Sequence, residues 1–375
     1  MKETERANSI TIAAVGDLML RRPFTTPLPG QALQTADLRV ANLEAPITDR
    51  GVPADKLITM RMPPPAASWV KELGFEVVSL ANNHTLDYGT IGLSDTMSAL
   101  ERVGIAYAGA GNDIAGALRP DVREVKGVKI ATVALAATVP TGSAAGIDRP
   151  GIAPLRVRVS FASDGAVNDE QPGTPPWVHT EVVAEDLERA LSVVRQAREL
   201  ADIVLVQMHW GVPPEWSSPF QGDLAEYQRP LAYALVEVGA SVILGHHPHA
   251  LHGVERYRGA GILYSLGNFI FHPQTKLKRL ELQRPAPPYK PVYSERNRQS
   301  LIANLRFHRA GGGWQLRGIE LIPCRLDDRG EARAVTQEQA KAVLEVVKGS
   351  DATRGVAFEV HGGRAHLDFS DEDVA

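Results

Sequence analysis

The stretch Ser241-Val242-Ile243-Leu244-Gly245-His246-His247-Pro248-His249 runs four small or apolar residues straight into a group of imidazoles. A short apolar run bounded by turn-forming residues reads as a buried strand, so three histidines arrive together at its carboxyl end. Pro248 opposes a helix and pushes His247 towards an extended conformation. In an extended chain His247 and His249 project to the same side, an arrangement suited to a borderline divalent metal. On this stretch alone, a pair of ordinary surface histidines at a turn is an equally open reading.

Outward from it the pattern repeats. Apolar runs end in Asp17, in Asn42-Leu43-Glu44, in Asn82-Asn83-His84, in His209 and in Gly267-Asn268. Layered α/β folds bind ligands beyond the carboxyl ends of their strands. One shared site accounts for these polar strand ends more simply than a series of coincidences.

A chain of 375 residues can bury a large core, and its length allows one large domain or two smaller ones. A net charge of −4 gives no sign of a nucleic-acid or anionic-membrane partner. The single cysteine, Cys324, excludes an intrachain disulfide and a cysteine-based metal cluster; in the run Leu321-Ile-Pro-Cys324 it reads as a packing residue. The start, Met1-Lys-Glu-Thr-Glu-Arg6, is mixed in charge and lacks a signal-peptide pattern. No stretch approaches the roughly 20 apolar residues that span a bilayer. The expected location is cytoplasmic.

Strands and helices alternate through the first part of the chain, with helices expected near 66–73 and 91–103 and a strand over 128–136. Residues 141–180, rich in Gly, Pro, Ser and Asp, read as an insertion near the site rather than a core element. Helical spacing returns over 185–200 and 222–238. The basic, proline-containing segment 274–299, with Lys276, Lys278, Arg279 and Arg284, reads as a loop or lid that would favour an acidic substrate. Strands over 301–307 and 314–323 and a helix over 338–348 complete the pattern, with a frayed acidic end. The expected architecture is α/β, a four-layer β-sandwich flanked by helices. Residues 10–325 would form the main domain, and 326–375 a helix and tail packed on it.

Gly16-Asp17-Leu-Met-Leu20, Asn42-Leu-Glu44, Ala81-Asn-Asn-His84-Thr-Leu-Asp87-Tyr-Gly89, His209-Trp-Gly211, Gly245-His-His-Pro-His249 and Tyr264-Ser-Leu-Gly-Asn-Phe-Ile-Phe271 together resemble the CapA-type capsule and poly-γ-glutamate synthesis proteins of the calcineurin-like metallophosphatase superfamily. The resemblance covers roughly residues 10–325, in the family's order. The superfamily carries Asp-x-His, Gly-Asp-x-x-Asp, Gly-Asn-His, a lone His and Gly-His-x-His. By that resemblance Asp17 matches the first acid, with Met19 where the pattern has His. Glu44 stands for the bridging Asp, Asn83 for the amide ligand and His84 for the catalytic His. His209 matches the lone His, and His247 and His249 the final pair.

The resemblance then implies one cation held by Glu44, Asn83, His209 and His247, and another held by Asp17, Glu44 and His249. Carboxylate, amide and imidazole donors suit Mn, Zn or Fe. Met19 leaves the second set a ligand short, so one firm ion and one weaker or absent ion are expected. His84 is the candidate general acid, with Asp87 three residues on to orient it. Bland readings compete: Asp17 as a helix or turn cap, Glu44 as a loop carboxylate, Asn82 and Asn83 in Asx-turns. His246 reads as a buried hydrogen-bonded ring outside the ligand set.

Arg21 and Arg22 are candidates to fork onto a carboxylate or phosphate, or are a solvated pair. Trp210 reads as a pocket wall or core residue. Asn268 reads as a loop brace with substrate contact a secondary role. The expected function is a metal-dependent hydrolase using metal-activated water on a phosphoester or amide bond of an acidic small molecule or polymer. The alternative is a non-catalytic accessory protein that holds poly-γ-glutamate or another polyanion for a separate synthase.

Overall fold

Side chains alternate across a strand, and here the alternation sorts the apolar residues into three cores. On the strand Ser9–Met19, Ile10, Ile12 and Ala14 face one apolar cluster while Ala13 and Val15 face another. On Ile203–His209, Ile203 and Leu205 join the first of these, and Val204 and Val206 join a third. The shared cluster therefore lies between two sheets, and each of the other two lies on an outer face. This computed structural model describes residues 8–25, 29, 31–56, 58–174, 176–211, 224–272 and 295–369.

In the larger sheet, Ser9–Met19 runs parallel to Leu38–Leu43 and antiparallel to Gln299–Ala310. In the smaller, Val128–Ala136, Ile203–His209, Val242–His246 and Ala260–Leu263 run parallel. Helices Ala66–Glu72 and Gly89–Val103 cover the larger sheet through Val70, Leu93, Met97 and Leu100. Helices Ala184–Leu200 and Gln228–Glu237 cover the smaller through Val194, Ala197, Leu231 and Leu235. Leu93, Leu100 and Leu235 are completely buried, each worth about 1.5–3 kcal/mol of apolar transfer. The layers are helix, sheet, sheet, helix, the α/β architecture expected. The helix Gly89–Val103 stops at Gly104, whose φ of 68° closes the C-terminus in the left-handed region.

Strand register delivers the polar ends together. Asp17 pairs with Asn42 on one side and Asn268 on the other, and His209 pairs with His246. The approach of Ser9–Met19 to the loop before Asn268 leaves no room at Gly16. A Cβ there would lie 1.8 Å from the Gly267 carbonyl oxygen, while the Asp17 amide donates to that same oxygen at 3.0 Å. Gly16→Ala must break this junction. We expect a loss of several kcal/mol, roughly the ceiling for single substitutions, read as insoluble expression or a collapsed urea midpoint. A variant with the wild-type midpoint would contradict the close approach.

Two segments differ from expectation, and a third is described only at its end. Of residues 141–180, the part through Ile152, Ala153 and Leu155 is completely buried, because Ala153 and Leu155 exchange backbone hydrogen bonds with Ala136. The hairpin Val157–Ala162 with Trp177–Val182, and the helix Gly165–Glu170 between its strands, carry exposed side chains. The C-terminal region is more than a helix and tail: after Gln337–Lys348, which buries Val343, Leu344 and Val347 in the inter-sheet core, Phe358–His361 and Arg364–Asp368 extend the larger sheet. Of the expected lid 274–299, residues 274–294 lie outside the described residues; Glu295–Arg298 form a short helix and Gln299 opens a strand. Cys324 is buried, and burial pushes its thiol up to about 12. Among the described residues no helix is long and apolar enough to cross a membrane.

Candidate metal centre

The larger sheet and its loops bring Asp17, Glu44, Asn83 and His84 to one rim; the smaller brings His209, His246, His247 and His249. Donor atoms of Asp17, Glu44 and His209 lie within 4.8 Å of one another, all three residues buried. His209 Nε2 is 3.6 Å from Glu44 Oε1 and 2.7 Å from Asn83 Oδ1. His249 Nδ1 lies 3.3 Å from Asp17 Oδ2, and its Nε2 lies 4.0 Å from Glu44 Oε1. The His247 and His209 rings meet at 4.9 Å between centroids.

Two residues without an assigned role in the sequence reading complete the cluster. His246, left outside the ligand set, places Nδ1 3.2 Å from Asp17 Oδ1. The Met19 side chain, by contrast, is buried in the outer core. Asn42 donates from Nδ2 to both Asp17 Oδ1, at 2.9 Å, and Glu44 Oε2. Its own Oδ1 accepts from Asn82 at 3.1 Å. Asn82 in turn accepts from the His84 amide at 3.0 Å, an Asx-turn geometry.

The electrostatics follow from burial. Glu44 is pushed well above the usual carboxylate range by burial and then by the charge of Asp17. Asp17 also suffers burial, yet the adjacent His246 and His249 rings hold it well below that range. Burial and its histidine neighbours keep His209 neutral and bring His247 down to about 3. Neutral imidazoles beside carboxylates are a cation's donor set. Among the described residues Asp17 Oδ2, Glu44 Oε1, His209 Nδ1, His247 Nδ1 and both His246 nitrogens are buried without a hydrogen bond. Buried polar atoms are ordinarily paired, so this convergence of orphaned donors fits a divalent cation.

At the margin, His84 Nδ1 lies 2.7 Å from Asp87 Oδ2. Burial lowers the His84 pKa, outweighing Asp87. Lys56, absent from the sequence reading, pairs with Asp87 Oδ1, donates to the Asn83 carbonyl at 2.6 Å and lies 3.3 Å from His84 Nδ1. The Met60 amide donates to Asp87 Oδ2 at 2.6 Å. Asp87 is thereby gripped from several directions and presents one fixed oxygen to the imidazole.

Other expectations need correction. His247 is not extended: its φ is 100°, and that of His249 is 52°. The chain coils through the left-handed region at both, which separates the rings by 6.2 Å, and His249 Nδ1 is met by Asn268 Oδ1 at 2.8 Å. Asn268 is buried and also donates to the Asn297 carbonyl at 3.2 Å, so it braces the loop. Of the two readings of Trp210, the structure supports the core residue. It is fully buried, stacks on Tyr264 at 5.7 Å and donates to the Tyr264 carbonyl at 3.0 Å. Arg22 donates to the Arg329 carbonyl at 2.8 Å and lies 3.9 Å from the buried Glu331, a structural engagement; Arg21 is exposed.

His272 sits beside Glu331, with Nε2 at 3.3 Å, and accepts the Arg21 amide on Nδ1 at 2.9 Å. Burial first, then Arg22, lowers its pKa from 6.5 to about 4. The unfolded chain takes up this proton first as pH falls, so His272 contributes stability above 6.5 that is lost between 6.5 and about 4. His272→Asn, which retains an acceptor for the Arg21 amide, should flatten the fall of the urea midpoint in that window. An unchanged slope would show that His272 is not responsible.

Two packed sheets with helices outside, and a buried carboxylate–imidazole–amide cluster at one rim, define a layered α/β protein with a divalent-cation type of donor set. The chain belongs to the bacterial capsule synthesis protein family PGA_cap, whose pattern matches residues 11–273. It is 32% identical over 241 residues to the PGA biosynthesis protein CapA of Bacillus subtilis, covering 64% of this chain and 54% of that one. A probable polyglutamine synthesis accessory protein of Mycobacterium tuberculosis is 35% identical over 240 residues, covering 62% and 55%. The match thus spans about half the length of these relatives. Among solved structures, the calcineurin-like phosphoesterase YfkN of Bacillus subtilis aligns over 91% of this chain and 99% of that one, at a TM-score of 0.43 and 14% identity.

Proposed function

We propose that the protein is a metal-dependent hydrolase acting on an acidic substrate of the capsule or poly-γ-glutamate type. The observation that carries this is the buried set Asp17, Glu44 and His209, whose donor atoms lie within 4.8 Å of one another, beside the unpaired His246 nitrogens and His247 Nδ1, with the His84–Asp87 pair at its margin. Glu44, Asn83, His209 and His247 would hold one divalent ion of the Mn, Zn or Fe type. Asp17, Glu44, His249 and also His246 would hold a second, which supplies the donor that Met19 removes. Such ions supply Lewis acidity that activates water and polarises the scissile phosphoester or amide bond.

The remaining chemistry belongs to the chain. Asn42 aims both carboxylates by donating one hydrogen to each. His84 would pass a proton to the leaving group, Asp87 orients its ring, and Lys56 offsets the Asp87 charge. The second reading, an accessory holder of polyglutamate, draws on the names of relatives described as synthesis or accessory proteins.

The test is elemental analysis of protein purified without added metal, beside Glu44→Ala/His247→Ala. About one to two equivalents in the wild type and none in the variant are expected, followed by turnover in a screen of phosphoesters and γ-glutamyl amides. A wild type still empty after incubation with Mn, Zn and Fe would overturn the hydrolase reading and leave the accessory one.

A further inference from the structure

His209 turns one ring nitrogen to the cluster and leaves the other idle. Its Nε2 lies 2.7 Å from Asn83 Oδ1 and 3.6 Å from Glu44 Oε1. Among the described residues its Nδ1, although buried, meets no hydrogen-bond partner. A neutral ring that gives Nε2 to a cation carries its proton on Nδ1. Histidine ligands ordinarily donate that proton to a fixed acceptor, which sets the tautomer and the tilt of the ring.

A buried amide stands two residues back on the same strand. Ile203 and Leu205 face the core between the sheets, whereas Val204 and Val206 face the outer one. Alternation therefore puts Gln207 and His209 on the inter-sheet side as well. Gln207 is completely buried, and neither its Oε1 nor its Nε2 is hydrogen-bonded. One strand over, Thr132 pairs with Leu205 and faces the same way; its hydroxyl is also buried and unpaired. Burying an amide without a partner is destabilising, and the positions before it on this face are apolar.

Alternate residues on a strand stand about 6.6 Å apart, too far for the Gln207 and His209 backbones to impose a bond but within reach of one bridging water. The neighbours that Val128–Ala136 sets beside Gln207 and His209 are Ala134 and Ala136, which reach least into that space. A buried water ordinarily makes about three hydrogen bonds to groups otherwise without partners. Here a hydroxyl, an amide and an imidazole N–H are on offer. We propose that Gln207 is a positioning residue of the metal centre: through one ordered water shared with Thr132, it takes up the His209 Nδ1 proton and holds Nε2 towards Glu44 and Asn83. This role presupposes the cation reading of the cluster.

Gln207→Met keeps the length of the side chain and removes both polar atoms. Zinc affinity of the full chain, measured by competition with a chromophoric chelator, should fall about 10- to 100-fold. Thr132→Val, which removes a single hydroxyl, should lower it about threefold, the size of one neutral hydrogen bond, and serves alone if Gln207→Met fails to fold. Nuclear magnetic resonance of zinc-loaded protein labelled at histidine nitrogen supplies a second readout. The His209 Nδ1 proton should be protected from solvent exchange in the wild type and exchange faster in the variants, a change that packing alone would not produce. Equal zinc affinity in all three proteins, or an Nδ1 proton equally protected in all, would overturn the role and leave the cation reading standing. A wild type that takes no zinc would remove both.

Discussion

Glu44→Gln should raise the thermal midpoint of the metal-free protein and abolish any rise on adding Mn or Zn. The two effects share one cause. Glu44 is completely buried beside the buried Asp17, and a single Asn42 amide donates to both carboxylates. Without a cation, the second negative charge is destabilising, as its upward-shifted pKa records. Glutamine keeps the shape and an acceptor for Asn42 while removing the charge. The gain should be on the order of 1–3 kcal/mol, seen as a midpoint a few degrees higher. With a cation present at about a hundred times its dissociation constant, the wild type gains about 2.7 kcal/mol that the variant forgoes. Scanning calorimetry of both proteins, with EDTA and with metal, gives crossing results if Glu44 is a ligand. Parallel shifts with metal would remove Glu44 from the donor set.

His84→Ala should leave metal content unchanged and cost about 10²–10⁴ in turnover, the usual worth of a general acid or base. The loss should depend on the leaving group. A phosphoester of an acidic phenol departs without a proton and should lose little, whereas an alkyl ester or amide should lose the full factor. Asp87→Asn should follow the same pattern more weakly, since it acts through the ring it orients at 2.7 Å. Equal losses for both leaving groups would assign His84 to binding or structure.

The layers were legible because strands buried on both faces read as continuous apolar runs, and their polar ends stand out against them. Asp17, Glu44, His209, His247 and His249 stand out at such ends. What stayed hidden depends on contacts between residues distant in sequence. Lys56 meets Asp87 only because the loop carrying it folds back, with the Ala54 amide donating to the Asp87 carbonyl at 2.8 Å. His246 looked redundant until the pairing of Ser9–Met19 with its neighbours set Asp17 opposite it. The conformation of His247 was misread because the left-handed backbone is uncommon for a bulky residue, and above all before proline. The buried part of 141–180 was missed for a related reason: its composition is that of a loop, and the backbone bonds to Ala136 that hold it inside leave no mark on the sequence.

The cation cluster is fed by both sheets, which pack against each other through a shared apolar core. An ion gripped by Glu44 and Asn83 from one sheet and by His209 and His247 from the other would act as a rivet between the layers. Pulling the sheets apart at that rim then means breaking coordination bonds, whereas through the shared core it means peeling apolar contacts. The molecule would hinge open from one side, and amide exchange should be slowed by metal at the carboxyl ends of the strands in both sheets together.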